Sequence, residues 1–156
     1  MAINPNTDFT SGAVLLASQQ NRFPRGVMAY TQVTTSDATV TAEEVQIGTT
    51  TFTAVASRYY RITYFEPYMS CTASTVFNMR IRQGTSTAGT LLQLATVINT
   101  VGNIFFGTSG TTSVVKTFSA GTVNLVATLQ SSSGTGNASR AADQTAYLLV
   151  EDIGPA

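Results

Sequence analysis

The 156-residue chain has no histidine, no tryptophan, one cysteine and few charges, and each shortage removes a class of function. Without histidine there is no Ser-His or Cys-His activation of a nucleophile and no imidazole for zinc. Cys71 as the lone thiol excludes both a zinc site and an intrachain disulfide, and it reads as a small buried apolar side chain. Eight Lys plus Arg balance eight Asp plus Glu, so no net positive field draws in nucleic acid. No apolar run approaches the roughly 20 residues that span a bilayer. No basic segment precedes an apolar one near Met1. Neither membrane insertion nor export through a signal peptide is therefore expected, and nothing calls for a cofactor.

What is present suits a β domain that associates with itself. Hydrophobic residues make up 43% of the chain, enough for a core without disulfide or metal. Charged residues make up only 10%, against roughly a quarter in typical domains. With 27 threonines, the surface must be largely hydroxyl and amide, which hydrates well and repels weakly. A pI near 6.1 adds to the tendency to associate, so a homo-oligomer is expected.

The chain divides into an N-terminal docking arm, residues 1–26, and a β domain, residues 27–156. The arm holds an apolar stretch with Val14, Leu15 and Leu16, then Asn21-Arg-Phe-Pro-Arg-Gly26. Pro24 disfavours the helical conformation at Phe23, so a short helix should stop there, and Gly26 lets the backbone turn. Ordering so short an arm costs more backbone entropy than burying Val14, Leu15, Leu16 and Phe23 returns. It should order only against the body, a sister chain or another protein.

After Gly26, alternation and β-branched residues predict strands over 27–33, 38–47, 50–55, 59–69, 75–83, 91–98, 103–106, 113–118, 122–130 and 145–153. The alternation is clearest where Phe77, Met79 and Ile81 oppose Asn78, Arg80 and Arg82, and where Val123, Leu125, Ala127 and Leu129 oppose Asn124 and Thr128. Segments 59–65 and 146–150 carry apolar or aromatic side chains on both faces, as strands do between a core and a second buried surface. They are expected at a subunit interface, with Tyr147 and Leu149 on the outside. An antiparallel jelly-roll sandwich of about 8 to 10 strands fits best, with a single-chain barrel as the alternative.

Little in the chain carries chemistry. Glu43-Glu44 and Glu151-Asp152 are adjacent pairs whose side chains leave a strand on opposite faces, so neither pair converges on one ion. The Gly84 to Gly89 spacing of a phosphate loop lacks the following Lys, and Asn137-Ala-Ser139 reads as a loop. An enzyme would have to be a histidine-free glycosidase with two carboxyls roughly 5 to 9.5 Å apart in a cleft. The chain is expected to be non-enzymatic. Seven of the eight positive residues are arginine, which favours fixed pairs. Arg80 and Arg82 share one strand face, either as a partner clamp or paired within the sheet. Tyr59 and Tyr68 belong to an aromatic cluster that serves packing or, in an adhesin, stacks on sugar.

At Asn21-Arg-Phe-Pro-Arg-Gly-Val-Met-Ala-Tyr30 and Leu148-Leu-Val-Glu-Asp-Ile-Gly-Pro155, the chain resembles small structural proteins of tailed bacteriophages that infect actinobacteria. These are minor tail, fibre or head-decoration proteins. Their arm pattern is present as Gly12-Ala-Val-Leu-Leu-Ala17, followed by Pro24, Arg25 and Gly26 and then the β domain. The resemblance implies a virion component, homotrimeric, with a tumour-necrosis-factor-like jelly roll, assembled in the host cytoplasm and exposed on the particle. Its partners would be tail or major capsid protein and host-surface glycan. A tail-associated role is placed ahead of head decoration, because the polar loops 84–89 and 131–137 suit host adhesion. A carbohydrate-binding adhesin using Tyr59, Tyr68, Arg80 or Arg82 is a further alternative.

Overall fold

The computed structural model describes residues 12, 14 and 16–156; Leu15, expected to dock the arm, lies outside the described residues. The short helix is α1 (Ala17–Gln20), whose end is marked by N–H bonds from Gln20 to the Leu16 carbonyl and from Asn21 to the Ala17 carbonyl. The helix thus ends four residues before Pro24, earlier than the stop expected at Phe23, with a turn at 21–22 between them. Gly26 has φ +77°, and a Cβ there would meet open space, so glycine is needed for its backbone conformation and not for room.

Ten strands follow: β1 (Gly26–Val33), β2 (Asp37–Val40), β3 (Glu44–Ala54), β4 (Arg58–Cys71), β5 (Thr75–Gln83), β6 (Thr90–Asn99), β7 (Thr108–Lys116), β8 (Gly121–Ser131), β9 (Gly136–Ala138) and β10 (Ala146–Pro155). One sheet has the order β1-β10-β4 with β7 on the other edge of β4; the last residues of β4 pair with β9, which pairs with β2. The other sheet is β3-β8-β5-β6. All pairs are antiparallel, and the two sheets stack as a jelly-roll sandwich, not a closed barrel.

The expected alternation explains the core. Phe77, Met79 and Ile81 on β5, with Val123, Leu125, Ala127 and Leu129 on β8, face Tyr60, Ile62 and Tyr64 on β4 and Leu148 and Val150 on β10. Each large side chain buried in this way contributes roughly 1.5 to 3 kcal/mol. Phe52, Tyr60 and Phe118 close one end of the core, with ring centroids 5.1 to 5.9 Å apart.

Four strand expectations shift. Segment 113–118 is β7, which begins five residues earlier at Thr108 and ends at Lys116. Segment 38–47 breaks at 41–43, where the chain crosses from one sheet to the other, whereas Gly48 and Thr49 are absorbed into β3 as irregularities of register. Segment 103–106 is a loop. Gly136–Ala138, inside a stretch read as a turn, forms β9 because it meets the free end of β4. Register also fixes the two ends of the sandwich. Gly26, Ala54, Arg58, Lys116, Gly121 and Pro155 lie at the end from which the arm leaves. The turns at 72–74, 100–107 and 131–135 lie at the other.

Candidate assembly surfaces and the arm root

The solvent side of the first sheet is built from the outward residues of four strands. Register aligns Gln32, Tyr147, Phe65 and Thr111 in one row, Tyr30, Leu149, Thr63 and Ser113 in the next, and Val27, Glu151, Arg61 and Val115 in a third. Tyr30 and Tyr147 have ring centroids 5.8 Å apart, and Tyr147 and Phe65 are at 5.3 Å, so an aromatic ladder crosses β1, β10 and β4. Tyr30 is 50% exposed, while Tyr147, Leu149 and Phe65 are half-buried. The only charges in these rows, Arg61 and Glu151, neutralise one another at 2.9 Å. Tyr147 and Leu149 thus stand on the outer surface, where the doubly apolar pattern of 146–150 predicts them.

A second surface, this one without charge, flanks the first. No Asp, Glu, Lys or Arg lies between Arg82 and Lys116, and this stretch forms β6, β7 and the loop between them. Its tip exposes Phe105 by 80% and Phe106 by 61%. The loop is held by side chains: Asn103 Oδ1 accepts the Phe105 N–H at 2.9 Å, Asn99 Oδ1 accepts the Val101 N–H at 3.0 Å, and Asn99 Nδ2 donates to the Phe106 carbonyl at 3.2 Å. Gly107 then lies against the ring of Tyr68, where a Cβ would come within 2.3 Å.

The arm meets the body at Arg58. Its Nε and one terminal nitrogen grip Asp152, the latter contact at 2.7 Å, and the terminal nitrogens donate to the carbonyls of Asn21 and Phe23 at 2.6 Å each. Hydrogen bonding to Asp152 raises the already high pKa of Arg58 against the opposing effect of burial. Farther out, the side chains of Val14 and Leu16 are exposed by 86% and 61%, and Phe23, Pro24 and Arg25 are also exposed. Sequence reasoning did not single out Arg58 or Asp152. The adjacency rule did separate Glu151, outward on Arg61, from Asp152, inward on Arg58.

Tyr59, Tyr68, Arg80 and Arg82 do not come together. Tyr59 faces outward on the first sheet, Tyr68 packs under Gly107, and the two arginines lie on the outer face of the second sheet. Arg82 binds both oxygens of Glu43 at 2.6 and 2.9 Å, and Thr128 Oγ1 donates to the same carboxylate at 2.6 Å. The Arg82 bonds, against the effect of burial, hold the Glu43 carboxyl below its ordinary value. Arg80 donates to Gln130 at 2.8 Å and lies 3.5 Å from Glu43. Both arginines are therefore engaged within the sheet.

A further polar cluster is internal. Arg140 makes two 2.8 Å bonds to the fully buried Glu66, which also accepts the Tyr64 hydroxyl at 2.9 Å. Burial, then the Glu66 charge, pushes the Tyr64 phenol well above its usual value, so it stays a donor. An open pocket of about 510 Å³ near the arm root is lined by Ala56, Ser57, Thr117, Phe118, Ser119 and Ala156, which bring no ionisable side chain. Among the described residues, no group of three His, Cys, Asp or Glu could hold a metal.

No family model and no curated protein matches the chain. Among solved structures it is similar to Eiger TNF from S. frugiperda, at 8% identity and a TM-score of 0.51, over 86% of this chain and 94% of that one. It is also similar to dimeric latent PorU from Porphyromonas gingivalis, at 8% identity and a TM-score of 0.43, over 93% of this chain and 14% of that one. CsCBM6-3 from Clostridium stercorarium, in complex with cellobiose, gives 14% identity and 0.36, over 76% and 91%. Likeness at these identities concerns the fold alone, and the first places the sandwich among TNF-like jelly rolls, the fold expected from the sequence.

Proposed function

We propose that this chain is a non-enzymatic structural protein of a virion, homotrimeric, attached through its N-terminal arm and tail-associated. The observation that carries the reading is the aromatic ladder Tyr30, Tyr147 and Phe65 on the outside of a sheet whose inside already faces the core. Apolar rows of this kind are costly in water and are a common mark of an assembly surface. Two different surfaces of little or no charge on one chain, this face with its single Arg61–Glu151 pair and the β6–β7 side, favour a head-to-tail contact that closes into a ring.

The arm supports attachment, since Val14 and Leu16 project from the body by the same end at which the chain terminates. Loops 84–89 and 131–137 follow opposite ends of β5, so only one of them faces away from the particle. Copy number tests the position. A few copies at the tail support a tail role, whereas several hundred per particle contradict it and favour head decoration.

A carbohydrate-binding adhesin is the second reading, favoured by the same ladder, because exposed aromatic rings stack on sugars. The two readings exclude one another at this surface: a ring buried between subunits is closed to a glycan.

A further inference from the structure

We propose that Arg58 is the positioning residue of the N-terminal arm: with Asp152 it latches the arm root, residues 21–23, onto the body of its own chain. The arm then leaves every copy in one fixed direction. The docking role of the arm rests on the function proposed above; the latch does not.

The geometry is that of a shared site. The Arg58 side chain is 5% exposed and the Asp152 side chain is fully buried. A buried guanidinium is tolerated only when its N–H groups are satisfied, and the carboxylate satisfies one edge of the fork. The outer edge goes to two backbone carbonyls of the arm, Asn21 and Phe23, each at 2.6 Å. Asp152 is held in turn by the Gly154 N–H at 2.9 Å, and the Ala156 N–H donates to the Ser57 carbonyl at 2.9 Å. Arm root, C-terminal strand and the turn before β4 therefore meet around one side chain.

A plain structural tie between β4 and β10 does not account for this. Those strands are already joined by backbone pairing from Tyr147↔Phe65 to Pro155↔Arg58. Half of the observed Arg58 bonds go instead to a segment outside both sheets. Of the surfaces on which the arm could order, the chain's own body takes the root.

Trypsin reads this directly, because Arg22 lies inside the latched segment and Arg25 two residues beyond it. Full-length protein and the variants Arg58→Lys and Arg58→Gln are digested, following arm loss by mass spectrometry and the body by amide exchange in β4 and β10. Both variants should lose the arm about tenfold faster than the parent while the sheet stays protected, as expected for lost charge-assisted bonds. Arm loss at the parental rate in a folded variant overturns the proposal. If neither variant folds, amide exchange on the unaltered protein decides. The Asn21 and Phe23 N–H groups bond to the Ala17 and Gln20 carbonyls, in a turn too short to persist unless the root is held. Protection there supports the latch, and free-peptide rates overturn it. The solution mass of the same samples keeps the readings apart: a single-chain mass contradicts the trimer and leaves the latch standing.

Discussion

Glu43 shows how the few charges are spent. One carboxylate takes two bonds from Arg82 and one from Thr128, on a sheet face where each arginine would otherwise project into solvent. Because the folded carboxyl sits below its ordinary value of 4.5, the pair stabilises fully above that pH. The contribution is lost as pH falls through the lower folded value. Glu43→Gln should therefore cost about 1 kcal/mol near neutral pH, and the gap from the parent should close on acidification. Unfolding midpoints taken stepwise down to acid check this, and a gap that stays constant contradicts it. Arginine's preference for fixed pairs pointed to such use of Arg80 and Arg82, and pairing within the sheet is what the structure has. The Glu66 and Arg140 pair had no local signal. Its members lie 74 residues apart, and only the register of β4 and β9 brings them together.

At the scale of elements, the strands most legible in the sequence have one polar and one apolar face. β5 and β8 are examples, with Phe77, Met79 and Ile81 inward and Asn78, Arg80 and Arg82 outward. Periodicity loses its meaning where a tertiary contact decides. Residues 103–106 have strand-like side chains, yet Asn99 and Asn103 bind the backbone of this segment and Gly107 docks on Tyr68. The result is a turn. Gly107→Ala should lower stability by about 1 to 3 kcal/mol, because its Cβ would force the Tyr68 ring aside. Urea unfolding measures the loss; an unchanged midpoint would show that the ring moves freely. The arm's short helix was expected to run up to Pro24 but ends at Gln20, and its anchor was not legible, since Arg58 lies 35 residues beyond Phe23 in the chain.

At the scale of the molecule, charge is distributed by region as well as by pair. The chain from 83 to 115 has none, and it forms one whole side of the sandwich, including the edge strands β6 and β7. An uncharged, exposed edge strand is a standing invitation to pair with another chain, and natural proteins usually blunt it with lysine. Here Lys116 comes only at the last residue of β7. Low overall charge and the doubly apolar segments around Phe65 and Tyr147 make an outward apolar row legible in the sequence. Which side chains form that row needs register, because a shift by one residue would exchange Tyr147 and Leu149 with Leu148 and Val150. The central claim is that the outer face of the first sheet is buried between copies. Light scattering on the chromatographed protein tests it most directly. Full-length chain should have three times the 16.4 kDa of one chain, and Tyr147→Glu should fall to a single folded chain. A parent protein that elutes as a single 16.4 kDa chain at micromolar concentration would contradict it.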